Sequence, residues 1–199
     1  MSKPLVVILN GPPGCGKDTI ANSWLEKTLG NDEFRPHVKA FKEPMYRVAA
    51  AALGLPLHEF MELYNDREWK EHNRPEWGGK SVRDLMISTS ENYLKPMFGD
   101  TCMGKLAVSS IQQQQLLGQN DVIVFSDGGF KAEVEELEKH FDVRVIQIYR
   151  DGCTFEGDSR SYIEGTNLST YLLFNDGSVE EAVEYLEYSI AQTRRDLYA

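Results

Sequence analysis

Cysteine is scarce in this chain. Cys15, Cys102 and Cys153 are too few and too scattered to frame a disulfide scaffold or a zinc site, and they fit a reducing compartment. The four histidines, His37, His58, His72 and His140, show no paired ligand spacing, so a histidine metal centre is unsupported. No apolar run approaches the roughly 20 residues that span a bilayer, and Met1-Ser2-Lys3-Pro4 lacks a signal-peptide apolar region, so no membrane partner and a cytoplasmic location are expected. Positive charge is also short. Lys and Arg total 21 against 31 Asp and Glu, and a net charge of −10 excludes a broad surface for nucleic acid or anionic lipid. A small anion held in a local basic pocket remains the ligand to look for.

What the chain does have is one organising stretch. The apolar run Leu5-Val6-Val7-Ile8-Leu9 reads as a strand buried on both faces, and Asn10-Gly11-Pro12-Pro13-Gly14-Cys15-Gly16-Lys17-Asp18-Thr19 follows it and opens an amphipathic helix. Gly11, Gly14 and Gly16 let the backbone turn sharply, the helix N-terminus favours an anion, and Lys17 adds a mobile cation. Strand, glycine loop, lysine and helix make a phosphate-binding P-loop, with residues 11 and 14–19 as its nucleotide-contacting set. Cys15 belongs to that set through its position, and its thiol is assigned no chemistry. Asp18 stands where a hydroxyl residue normally meets Mg²⁺, with Thr19 one place later, so Asp18 is the candidate metal ligand.

The rest of the sequence alternates strands and helices. Further strands are expected at Val38–Phe41, Asp121–Phe125, Val143–Tyr149 and Thr170–Phe174, giving an α/β fold: three layers, α/β/α, around a five-stranded parallel sheet. Length and a 41% hydrophobic content suit one domain, residues 1–199. A helical insertion is expected at about 43–118 and a polar, glycine-punctuated lid at about 151–169. The first helix should face the sheet with Ile20, Trp24, Leu25 and Leu29, and the helix opened by Glu43-Pro44 should bury Met45, Val48, Ala49 and Ala52. Ser81 should cap the helix carrying Arg83. Val134, Leu137 and Phe141 should form the stripe of a later helix whose acidic residues face solvent.

Strand ends locate the candidate chemistry. In open parallel sheets ligands gather at the carboxyl ends, which brings Asp127, Arg150 and, on the lid, Arg160 toward the loop. Arg47 lies on the helix after the second strand, near the expected cleft mouth. Tyr46, Tyr64, Trp69 and Trp77 supply rings for base stacking or for packing of the helical lobe.

These motifs together resemble the deoxynucleoside monophosphate kinases of tailed bacteriophages, within the nucleoside monophosphate kinase group. The resemblance rests on Gly16-Lys17-Asp18-Thr19, on Asp66-Arg67-Glu68 with Gly78 through Met86, on Ser126-Asp127 with Phe130 and Glu133, and on Asn175-Asp176-Gly177-Ser178. The chain differs from the family pattern at Gly129, where an arginine is usual, at Ile87, where a glutamine is usual, and in Ser161-Tyr162-Ile163-Glu164, which keeps only the glutamate of the lid pattern.

The resemblance implies ATP- and Mg²⁺-dependent phosphoryl transfer to a (deoxy)nucleoside monophosphate, in the host cytoplasm if the gene is carried by a phage. Lys17, Arg150, Arg160 and Asp127 would be catalytic, and Arg47, Arg83 and Asp127 would bind the acceptor. A homodimer is compatible with the sequence. Two other readings stand beside it: a kinase of another small metabolite, with Asp127 as general base, and a nucleotide-binding regulator without transfer, which the glycine at 129 keeps open.

Overall fold

The strands at residues 5–10 and 121–125 are buried at every position, so both of their faces must be covered. The computed structural model describes residues 3–166 and 170–198; the last three positions of the expected lid lie outside the described residues. In chain order the elements are β1 (Leu5–Asn10), α1 (Lys17–Thr28), β2 (Arg35–Lys39), α2 (Glu43–Ala52), α3 (Leu57–Asn65), α4 (Arg67–Glu71) and a 3₁₀ turn (Pro75–Trp77). They continue as α5 (Val82–Ser88), a π-helical stretch (Thr89–Leu94), α6 (Lys95–Phe98), α7 (Cys102–Gln113), β3 (Asp121–Phe125), α8 (Lys131–Glu138), β4 (Asp142–Tyr149), β5 (Tyr171–Phe174) and α9 (Val179–Tyr198). No helix among the described residues is long and apolar enough to cross a membrane.

Two compact units are formed, one by residues up to Phe41 and from Gly104 onward, the other by Lys42–Met103. The first holds a five-stranded sheet in the order β2-β3-β1-β4-β5, all neighbours parallel. Alternation along β1 divides the core. Leu5, Val7 and Leu9 pack with Ile20, Ala21 and Trp24 of α1 and with Val183, Leu186 and Ile190 of α9, whereas Val6 and Ile8 pack with Ala107, Val108 and Ile111 of α7 and with Val134 and Leu137 of α8. Helices thus cover both faces, and the fold is the expected three-layer α/β/α arrangement.

Some boundaries and faces differ from the sequence reading. β2 spans Arg35–Lys39 rather than 38–41: as an edge strand it tolerates Pro36, and Phe41 lies beyond it, its ring 4.6 Å from that of Phe125. Helix α1 ends at Thr28, so Leu29 is exposed, and Ala21 takes the buried place the reading gave it. On α8 the acidic residues are not all solvated. Glu133 is buried and accepts the Phe130 N–H, and Glu136 is buried beside Lys139, whose hydrogen bond holds the Glu136 carboxyl below the usual carboxylate range. The helical unit is shorter than the expected 43–118, because α7 from Gly104 onward buries its apolar side against the sheet.

The helical unit has its own core of Tyr46, Ala49, Ala50, Phe60, Val82 and Met86. On α2 the buried stripe is therefore Tyr46, Ala49 and Ala50, with Met45 and, just past the helix, Leu53 partly buried, while Val48 and Ala52 are exposed. An alanine-rich helix offers two plausible stripes, and the aromatic ring decides: Tyr46 lies 5.1 Å from Tyr64 and 6.0 Å from Phe60. Trp69 and Trp77 both face the Arg74 guanidinium, at 5.0 and 4.6 Å, so those two rings are engaged in a cation–π sandwich.

Ser81 does cap α5. Its Oγ accepts the Asp84 N–H at 3.1 Å and its own N–H donates to Asp84 Oδ2 at 2.8 Å, a reciprocal box that holds the Asp84 carboxyl below its ordinary value. Ser81→Ala should cost about 1 kcal/mol. Because the carboxyl is depressed in the folded state, the box contributes in full above the unfolded-state value and is lost as pH falls through the folded one. Urea unfolding of wild type and variant should therefore differ near neutrality and converge in acid.

Candidate active site

The loop between β1 and α1 takes its shape from two left-handed glycines, Gly14 at φ 79° and Gly16 at φ 96°, the second serving as the residue before the first turn of α1. Gly11 is needed for another reason: a Cβ there would stand 2.7 Å from both Cys15 Sγ and the Ile148 carbonyl oxygen. Lys17, the first residue of α1, curls back over the loop, and its Nζ donates to the carbonyls of Gly11 and Pro12 at 2.7 Å each and to Cys15 Sγ at 3.4 Å. Only 8% of Lys17 is exposed. Burial lowers the ammonium pKa from its ordinary value, a shift that neighbouring Cys15 and Asp18 oppose. The ammonium is thus buried against two backbone carbonyls and one thiol, with no carboxylate among its hydrogen-bond partners within the described residues.

Asp18 and Thr19 are exposed on the first turn of α1. Ser126, at the end of β3, donates its hydroxyl to Asp18 Oδ1 at 2.7 Å. Carboxylate and hydroxyl together form a small set of hard oxygen donors beside the loop. Such a set fits Mg²⁺, which keeps most of its waters and takes one or two carboxylates plus phosphate oxygens, and no cluster of three or more His, Cys, Asp or Glu able to hold a metal is found among the described residues.

Asp127 follows Ser126, is 8% exposed, and accepts the Phe41 N–H on Oδ1 at 2.9 Å, fastening the end of β3 to the chain after β2. Its carbonyl accepts Nη1 of Arg160 at 3.1 Å. Arg160 is also paired with Asp158, Nε to Oδ1 at 2.9 Å and Nη2 to Oδ2 at 2.7 Å, and its charge reaches Lys17. Arg150, at the end of β4, is exposed and lays Nη1 3.4 Å from the Gly14 carbonyl. Lys17, Asp18, Asp127, Arg150 and Arg160 therefore surround one loop in one unit. Arg47 and Arg83 belong to the helical unit, both exposed, with Arg83 Nη1 3.5 Å from Glu71 Oε1.

Two asparagines, each within a sequence motif but given no role there, support the site. Asn175, buried after β5, donates Nδ2 to the Cys15 carbonyl at 2.8 Å. Asn10, fully buried at the end of β1, accepts the Ile163 N–H at 2.9 Å and donates to the Ser161 carbonyl at 3.1 Å. Gln147 donates to the Ile163 carbonyl at 2.9 Å, and the Tyr162 ring stacks on Tyr149 at 4.3 Å. The expected lid is thus anchored to the sheet at residues 161–163, with Arg160 immediately before the anchor. Polar residues closing apolar strands, Asn10 and Ser126 among them, are the signal that could have found these contacts.

Asn10→Ala should destabilise the chain by about 2–3 kcal/mol, since it leaves two backbone groups near the core short of a partner. Hydrogen exchange at the Ile163 amide should rise before global unfolding; unchanged protection there would mean that the segment is held by other means.

No protein-family model and no curated protein matches the chain. Solved structures do resemble it. A gluconokinase from Sinorhizobium meliloti aligns at 11% identity over 100% of this chain and 98% of that one, with a TM-score of 0.45. A sugar kinase from Janibacter sp. aligns at 16% identity over 98% and 95%, with a TM-score of 0.40. A shikimate kinase from Bacteroides thetaiotaomicron aligns at 12% over 98% and 81%, with a TM-score of 0.29. At such scores a neighbour's substrate says nothing of this chain's. A groove of about 640 Å³ at the far end of α1, lined by Thr28, Phe34, Ile190 and Arg194, contains none of the candidate residues.

Proposed function

We propose that the chain transfers the γ-phosphoryl group of ATP, with Mg²⁺, to a (deoxy)nucleoside monophosphate. The observation that carries the reading is the buried Lys17 ammonium inside the glycine loop, with Arg150 and Arg160 beside it. Lys17 would exchange the Gly11 and Pro12 carbonyls for oxygens of the β- and γ-phosphates. Asp18, oriented by Ser126, would hold Mg²⁺, whose charge offsets that of the polyphosphate. Arg150 and Arg160 would meet charge that builds on the transferring group.

An acceptor phosphate oxygen then bonds to the γ-phosphorus as the bond to the β–γ bridging oxygen breaks and ADP leaves. Such an acceptor is already ionised near neutral pH and needs cations more than a base. Arg47 and Arg83 are exposed guanidiniums suited to a phosphate, Arg83 releasing Glu71 to do so.

A hydroxyl acceptor, as in a kinase of another small metabolite, would need Asp127 as base. Its Oδ1 already takes the Phe41 N–H, which favours the monophosphate.

The test is a coupled ADP-release screen across ribo- and deoxynucleoside monophosphates, with sugars and hydroxy acids alongside. Turnover with a monophosphate, together with a rise of about tenfold or more in its KM and an unchanged KM for ATP in Arg83→Ala, supports the proposal. Turnover confined to hydroxyl acceptors rejects it in favour of the second reading. Silence with every acceptor despite measurable ATP binding would mean a nucleotide-binding regulator.

A further inference from the structure

We propose that Cys15 and Cys153 are a peroxide-sensitive thiol pair which, joined as a disulfide, locks the phosphate loop. Both are free thiols. Cys15 is fully buried in the core cluster beside β4 and β5, and Cys153 packs against that same cluster while remaining partly exposed. The Cys153 sulfur lies 3.8 Å from the place where a Cβ on Gly14, the residue before Cys15, would stand. The turn that carries it is closed by its own N–H on the Arg150 carbonyl at 3.1 Å, and Arg150 in turn reaches the Gly14 carbonyl. Tyr162, stacked on Tyr149, lies beside this turn, and its hydroxyl is pushed up to about 12, chiefly by burial and next by Tyr149.

The two cysteines are equipped for different steps. Cys153 is open to a small oxidant; burial holds the Cys15 thiol above its ordinary pKa, and the Lys17 ammonium 3.4 Å from its sulfur partly offsets that and stands ready to meet charge as the proton leaves. A peroxide oxidises the Cys153 thiol to a sulfenic acid and is itself reduced, hydrogen peroxide giving water. The Cys15 sulfur then attacks the sulfenic sulfur, the S–S bond forms, and the hydroxyl leaves as a second water with the Cys15 proton. Two thiols have lost two protons and two electrons, and one peroxide has taken them. The bond withdraws the Cys15 sulfur from Lys17 and ties the loop to the 150–153 turn. Transient disulfides of this kind are compatible with a reducing compartment.

The full chain, treated with hydrogen peroxide, then unfolded and alkylated with iodoacetamide, reads the outcome by intact mass and peptide mapping. The expected result is loss of two of the three alkylatable thiols, a peptide joining Cys15 to Cys153 within one chain, and recovery of both thiols with dithiothreitol. Cys153→Ser, and Cys153→Ala if the first variant melts early, should keep Cys15 alkylatable after the same treatment. Three unchanged thiols, a link through Cys102, or Cys153 recovered as sulfinic acid without the joined peptide would overturn the assignment. The readout needs no turnover, so a silent acceptor screen leaves it standing and a missing link leaves the kinase reading untouched.

Discussion

Lys17→Met is expected to lower phosphoryl transfer by about 10³-fold or more, roughly 4 kcal/mol of transition-state stabilisation, while leaving the fold intact. The side chain would keep most of its apolar stem and lose the ammonium, its charge and its donors together. Stability should move little, because two effects oppose each other: the burial penalty of the ammonium disappears, while the Gly11 and Pro12 carbonyls lose a donor at 2.7 Å. ADP release measured beside a melting curve separates the two readouts. Turnover within tenfold of wild type would remove Lys17 from the role given to it.

A pH dependence accompanies this prediction. The Lys17 pKa is lowered in the folded chain from its ordinary 10.5, chiefly by burial, so between the lowered value and 10.5 the unfolded chain binds more protons. Stability from this group therefore rises with pH across that window. Wild type should gain on Lys17→Met as alkaline pH is approached, in urea midpoints taken at matched ionic strength.

Gly128→Ala is expected to cost about 3–4 kcal/mol, the largest stability loss predicted for one methyl group in this chain. Gly128 sits at φ 41°, and a Cβ there would collide with the Leu9 carbonyl oxygen and stand 2.7 Å from the Asn10 Cα. Both are backbone atoms of β1 at the point where the phosphate loop begins, so relief requires moving the strand end itself. Left-handed strain of about 1–2 kcal/mol adds to overpacking of about 1–3 kcal/mol. Gly30 is the control: its φ of 84° is also left-handed, but nothing lies within 4 Å of its Cβ position. Gly30→Ala should cost only the backbone share, about 1–2 kcal/mol. Equal midpoint shifts in the two variants would show that the close approach at Gly128 contributes nothing.

The sheet was legible in the sequence because parallel strands buried on both faces appear as continuous apolar runs, as at Leu5–Leu9 and Val122–Phe125. The loop was legible because its glycines and lysine are consecutive. Contacts that depend on strand order were not. Asp18 meets Ser126 only because β3 lies beside β1, and Asn10 holds residues 161–163 only because the chain returns there after β4. Nor could periodicity choose between two stripes of α2, since alanine serves either face and the Tyr46 ring decided the matter through Phe60 and Tyr64. Glutamates at 133 and 136 read as solvated because charge usually is, yet each has a local partner that permits burial. The glycine at 129 has a neighbour too: a Cβ on it would meet the Glu133 carboxylate and come within 3.1 Å of the Phe41 ring, so this chain's own packing disfavours a larger residue there.

The central position of β1 also sets the order of events during synthesis. Its hydrogen-bonding partners are β3 and β4, whose residues emerge from the ribosome more than a hundred positions later, so β1 waits unpaired while Lys42–Met103, with an apolar cluster of its own, can already condense. Pairings this distant in sequence slow productive folding and leave an aggregation-prone apolar segment uncovered. A nascent chain stalled before Tyr149 should therefore recruit holding chaperones through Leu5–Asn10, and should release them once β4 has cleared the exit tunnel.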